Sequence, residues 1–185
     1  MNKDEVKKQL SELISRYNET LRVSDRNKIT EETIRTWLND FLSIFGWDVK
    51  NTNQVLQEKI LSDESKKRLQ AIKSPHNKPD YILVNGINIK SFLDAKSIDV
   101  DIFTDSDVAY QIRSYGWSAK CPCAFVSNFE QFVIYDTRFI PDLSQPANAN
   151  TIQICIDNYI EQFDTLYEHL WHDNGISLSL EDGYG

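Results

Sequence analysis

With 185 residues and 41% hydrophobic content, the chain is long enough for one domain with a real core and short for two. No apolar run reaches about 18 residues, and the charged opening NKDEVKK lacks the apolar segment of a secretory signal. A soluble, cytoplasmic protein without membrane contact is expected. The net charge of −8 has the wrong sign for a protein that grips nucleic acid through its overall field.

In chain order, Val6, Leu10, Leu13, Ile14, Tyr17 and Leu21 recur at helical spacing, so residues 3–22 are predicted to form an amphipathic helix. A second helix is predicted from an N-cap at Thr30 to Phe45, stopped by Gly46, with its apolar stripe on Ile34, Trp37, Leu38, Phe41, Leu42 and Phe45. At about 100° per residue, Glu31 shares the side of Leu38 and Leu42 while Glu32 joins the polar side. Glu31 is therefore expected to face the core, where it either complements the helix dipole or acts at a metal or a water.

GWDVKNTN reads as a first strand, Gln54 to Ala71 as a charged segment, helical or partly irregular, and SPHNK as a break. YILV and INIKSFLDAK then flank Asn85-Gly86, a strong hairpin signal. A two-residue turn there pairs Val84 with Ile87 and Asp80 with Ser91, and leaves Asp80 about three positions, roughly 10 Å, short of Asp94. A longer connection or a bulge has to close that gap.

A helix over Ser106 to Tyr115 follows, then two strands, CAFVSN and QFVIYD, joined by a turn around Phe129-Glu130. A strand, a crossover helix and a strand predict a right-handed βαβ connection in a mixed sheet. The class is α/β or α+β. Residues 137–150 read as a polar loop, TIQIC as a short strand, and a terminal helix is predicted from an N-cap at Asp157 with its stripe on Tyr159, Ile160, Phe163, Leu166, Tyr167 and Leu170. The expected division is a helix over 1–28, a domain over 29–172, and a tail or linker over 173–185 that looks like a cut inside a longer polypeptide.

Cys121, Cys123 and Cys155 make an odd count without C-x-x-C spacing, as expected of reduced thiols. His169 and His172 could share a helical face, but no matching ligand lies beside them in sequence.

The densest chemistry lies in KPDYILVNGINIKSFLDAK. Asp80 and Asp94 are a carboxylate pair of the kind that holds a hard divalent cation, and Lys96 can orient or deprotonate an attacking water. Strand alternation puts Phe92, Asp94 and Lys96 on one face and Leu93 and Ala95 on the other. Gln111 and Tyr115, four apart, share a face of the following helix.

Pro79-Asp80, then Asp94-Ala95-Lys96, then Gln111-Ile-Arg-Ser-Tyr115 resembles the PD-(D/E)xK nuclease superfamily, and the Q-x-x-x-Y element is similar to the extra motif of its RecB-like and restriction-enzyme subgroup. From TEETIRTWLNDFLSIFGWDV through KPDYIL, FLDAK, AYQIRSYG and FVSNFEQFVIYD, roughly residues 29–170, the layout is similar to the amino-terminal nuclease domain of type IIG restriction-modification enzymes. The motor subunits of type I systems carry such a domain as the alternative. The second acid is Asp94 where many relatives have glutamate, which shortens the ligand arm by one methylene.

The resemblance implies a restriction-endonuclease-like core with a mixed sheet flanked by helices, and a Mg²⁺-dependent endonuclease, with Mn²⁺ as substitute, that leaves 5′-phosphate ends. It implies metal ligands at Asp80, Asp94 and the Ala95 carbonyl, a water held or activated by Lys96, a role at the metal or water for Glu31, and positioning by Gln111 and Tyr115, with core packing the alternative for Tyr115. Nothing reads as a recognition helix, zinc finger or basic arm. Specificity is expected from further methyltransferase and recognition domains or subunits, with double-stranded DNA held weakly by this chain alone and a transient dimer on DNA. The rival reading is a catalytically idle nuclease-fold docking module. A small-molecule hydrolase has no pocket signature in the sequence.

Overall fold

Alternating strands and amphipathic helices can bury their apolar faces only by layering helices on a sheet. The computed structural model, which describes residues 2–57, 63, 67, 78–85 and 88–172, has that form. Its helices are α1 (Lys3–Tyr17), α2 (Glu31–Ile44), α3 (Ser106–Ser118) and α4 (Phe163–Leu170), and a π-helical turn, Asn18–Arg22, prolongs α1 to the predicted end. The strands are β1 (Val55–Gln57), β2 (Tyr81–Asn85), β3 (Asn88–Ala95), β4 (Cys123–Ser127), β5 (Gln131–Asp136) and β6 (Thr151–Cys155). They lie side by side in chain order, and every pairing is antiparallel except β3 with β4, which α3 connects in parallel. The protein is thus α/β, a mixed six-stranded sheet flanked by helices, compatible with a restriction-endonuclease-like core. No described helix is long and apolar enough to cross a membrane.

Strand alternation sorts the apolar side chains into two cores. Tyr81, Leu83, Leu93, Ala95, Phe125 and Ile134 pack with α1, α2 and α4. On the other face Ile82, Phe92, Ala124, Val126 and Val133 pack with α3. In the first core Phe41 meets Phe45, Phe129, Phe132 and Tyr159 at ring separations of 4.9 to 6.2 Å. Truncating such a ring typically costs about 3–5 kcal/mol. The Tyr17 hydroxyl donates to Glu130 Oε2 (2.6 Å), and Arg26 donates to both oxygens of that carboxylate (3.0 and 2.8 Å), which ties the end of the first helix to the β4–β5 turn.

Several predicted elements need correction. GWDVKNTN forms turns rather than a strand, because Asp48 and Asn51 accept from the backbone N–H two residues on (Lys50, 3.0 Å; Asn53, 2.9 Å), a local closure that competes with a ladder. The first strand is Val55–Gln57, inside the segment read as helical or partly irregular. The rest of that segment and the SPHNK break lie almost wholly outside the described residues, as does the tail over 173–185. Asp157 does not cap the terminal helix: it sits in a 3-10 turn with its carboxylate 3.1 Å from Arg22 Nη1, and α4 begins at Phe163.

Candidate active site

Strand register brings the two acids together. Asn85 pairs with Asn88, so the strands close one position later than the predicted pairing of Val84 with Ile87, and residues 86–87 lie outside the described residues. That change advances the partner strand by two positions, and Val84 pairs with Ile89 instead of Ile87. The register then slips between Leu83 and Val84, with Lys90 as the extra residue, and Leu83 pairs with Ser91. Loop and bulge together supply the three missing positions, and Tyr81 pairs with Leu93.

Asp80 and Asp94 consequently meet at the ends of adjacent strands. The Asp80 N–H donates to Asp94 Oδ1 (2.9 Å), and the Ala95 N–H donates to Asp80 Oδ2 (2.8 Å). Each carboxylate is fixed by the other strand's backbone. Asp94 is only 3% exposed. Burial, then the Asp80 charge, pushes its carboxyl up to about 7, and Glu31 acts in the same direction; the Asp80 N–H and Lys96 oppose the rise.

Lys96 follows directly, at the carboxyl end of one of the two parallel strands, where open α/β sheets offer their ligand crevice. Its N–H donates to Ser127 O (3.0 Å), and its Nζ donates to Gln111 Oε1 (3.2 Å). The Gln111 Nε2 in turn donates to the Tyr115 hydroxyl (3.2 Å). Helix α3 carries this relay; Asp105 caps it by accepting from the N–H groups of Asp107 and Val108, and most of its residues are buried. Tyr115 does two things at once: its ring packs against Phe92 in the second core, and burial holds its hydroxyl protonated.

Glu31 is exposed and does not face the core, contrary to the stripe reading. Its helical side is the expected one, but the first turn of α2 overhangs the core, whose contacts on this helix begin at Ile34. It lines a cleft of about 490 Å³ with Glu32, Arg35, Thr36, Asn39 and Gln57. Arg35, one turn further along α2, forms an ion pair with Asp80 Oδ1. Sequence reasoning passed over Arg35, although its place four residues after Glu31 was a usable signal.

Among the described residues, no group of three or more His, Cys, Asp or Glu side chains is placed to hold a metal ion. His169 Nδ1 lies 2.8 Å from Thr165 O, one turn back on α4, and the His172 ring meets Trp47 edge to face. Cys121 and Cys123 are buried, Cys155 is exposed, and all three are free thiols. The oxygens of Asp80, Asp94 and the Ala95 carbonyl nevertheless have the chemistry that a hard divalent cation takes, and the mutual repulsion that raises Asp94 is what a cation relieves. The donors fit such an ion, with Arg35 already on one Asp80 oxygen.

Over 170 residues the chain is 31% identical to the type II restriction enzyme and methyltransferase RM.Eco57I of Escherichia coli. It is a homologue of part of a restriction enzyme. The alignment covers 90% of this chain and 16% of that protein, so the chain spans about one sixth of that relative's length. No family model and no solved structure matches.

Proposed function

We propose that this chain is the PD-(D/E)xK nuclease domain of a type IIG restriction-modification enzyme, a Mg²⁺-dependent endonuclease that hydrolyses phosphodiester bonds of double-stranded DNA. What carries the reading is the mutual clasp of Asp80 and Asp94 beside Lys96 and Gln111. Asp80, Asp94 and the Ala95 carbonyl would hold Mg²⁺, which supplies charge stabilisation at the scissile phosphate and at the leaving oxygen. Lys96 orients the attacking water: Gln111 fixes its ammonium through one N–H, and further donors remain for the water or a phosphate oxygen. Attack at phosphorus breaks the bond to the 3′ oxygen and leaves a 5′ phosphate. Tyr115 holds the Gln111 amide in register for Lys96. Methyltransferase and recognition domains outside this chain would supply the choice of target; the name of the relative joins a restriction enzyme to a methyltransferase.

The test is nicking of supercoiled plasmid at low ionic strength in Mg²⁺ or Mn²⁺, with ligation reporting the 5′ phosphate. Asp94→Asn and Lys96→Ala are expected to lower the rate at least about 100-fold with unchanged circular dichroism. Equal rates in all three proteins would remove the assignment. A second reading, the idle docking module, is favoured by the −8 charge and by a site of two carboxylates rather than three. It requires that the parent chain cut under no condition, and that Asp94→Asn and Lys96→Ala leave function in the full enzyme unchanged. The type I motor context shares the chemistry and differs only in the domains attached.

A further inference from the structure

Asp80 is the most heavily engaged acid of the cluster. Its Oδ2 accepts from the Ala95 N–H, and its Oδ1 is paired with Arg35, which reaches it from α2. The Arg35 and Asp80 side chains are 28% and 16% exposed, so the pair is within reach of solutes, and Arg35 also lines the cleft. A guanidinium and a divalent cation that seek the same carboxylate oxygen repel one another, and neither shares it without loss. Arg35 also shares the cleft with other acceptors. Glu31 and Glu32 precede it by four and three residues on α2, the spacings at which helical side chains meet, and all three line the same cleft. Its charge can therefore leave Asp80 without becoming stranded.

We propose that Arg35 is the resident counter-ion of Asp80, holding the oxygen that a divalent cation takes, so that the Arg35–Asp80 ion pair and cation binding exclude one another. This inference rests on the cation site proposed above. Arg35 is on this view a positioning residue: it neutralises Asp80 before the cation arrives, then turns into the cleft beside Glu31 and Glu32. Loss of Arg35 should tighten cation binding, whereas a residue that only braced the strand end would weaken it when lost.

The experiment is calorimetric titration of the 185-residue chain with Mn²⁺, comparing the parent with Arg35→Gln, Arg35→Lys and Asp94→Asn, each checked by circular dichroism. Arg35→Gln should bind about fivefold more tightly than the parent, the size of effect a partly exposed ion pair can exert. Arg35→Lys, which keeps the charge, should stay within about twofold of the parent. A second measurement uses the unaltered protein: the Arg35 Nη–H resonance of the group that donates to Asp80, followed by NMR at low temperature during addition of diamagnetic Mg²⁺, should shift and lose its protection from solvent exchange. Should Asp94→Asn abolish binding while Arg35→Gln binds no more tightly than the parent, or should the Arg35 resonance stay fixed at saturating Mg²⁺, the counter-ion role is overturned and the cation site stands. Absence of Mn²⁺ binding in parent and variants alike would remove both.

Discussion

Asp94 is a carboxylate that the fold buries against another carboxylate. The buried site binds its proton more tightly than the unfolded chain does, because burial and then the Asp80 charge raise its pKa to about 7. Its contribution to stability is therefore fully present below about pH 4 and is lost as pH rises through about 7, the reverse of an ordinary ion-paired aspartate. Asp94→Asn keeps the shape and removes the titration. In cation-free buffer its melting temperature should gain several degrees on the parent between pH 5 and pH 8. A parent-to-variant difference that is flat across that range would contradict the burial account. Arg35 and Glu31 show the same scale from the other side: the helical period identifies their side of α2, but only the end of the core decides that Glu31 is exposed and that Arg35 reaches Asp80.

Among the elements, the β2–β3 hairpin was half legible. Two apolar runs around Asn85-Gly86 announce a hairpin, and the distance from Asp80 to Asp94 already demands three extra positions. How those positions divide between loop and bulge is a property of the paired strands, in which Lys90 becomes the extra residue and its Nζ donates to His172 O (3.2 Å). Helix α3 depends on a similar close approach. A Cβ added at Gly116 would stand 2.5 Å from the Thr137 side chain, which donates to Cys121 O. Gly116→Ala should push α3 away from the β5 end and cost about 1–3 kcal/mol in urea unfolding. Since α3 presents Gln111 to Lys96, cleavage should fall further than the loss of stability accounts for, and a variant as stable as the parent would show that the helix has room to shift. The turns at 46–54 and the late start of α4 went unread because Asp and Asn side chains serve either a cap or a turn, and their neighbours in space decide which.

For the whole molecule, a net charge of −8 sets a limit on DNA binding. Counterion release drives association poorly where 28 acidic residues outnumber 20 basic ones, so the chain alone should bind a non-specific duplex more weakly than about 10⁻⁴ M at physiological salt, the weak end of ordinary non-specific binders. Fluorescence anisotropy checks this, and a dissociation constant in the micromolar range would mean that a basic surface outweighs the total charge. Composition, helical and strand periods, capping residues and the order of motifs were determined by the sequence itself, because they depend on contacts a few residues apart. That was enough for an α/β sheet with helices on it, while the grouping of Asp80, Asp94, Lys96, Gln111 and Tyr115 as candidates came from the resemblance of their motifs to a nuclease family. Only the tertiary structure decided the bulge that aligns the two acids, the burial that raises Asp94, and the Arg35 pairing. Each of these joins residues distant in sequence, and strand register and the reach of a side chain from a neighbouring layer are fixed when the layers pack together.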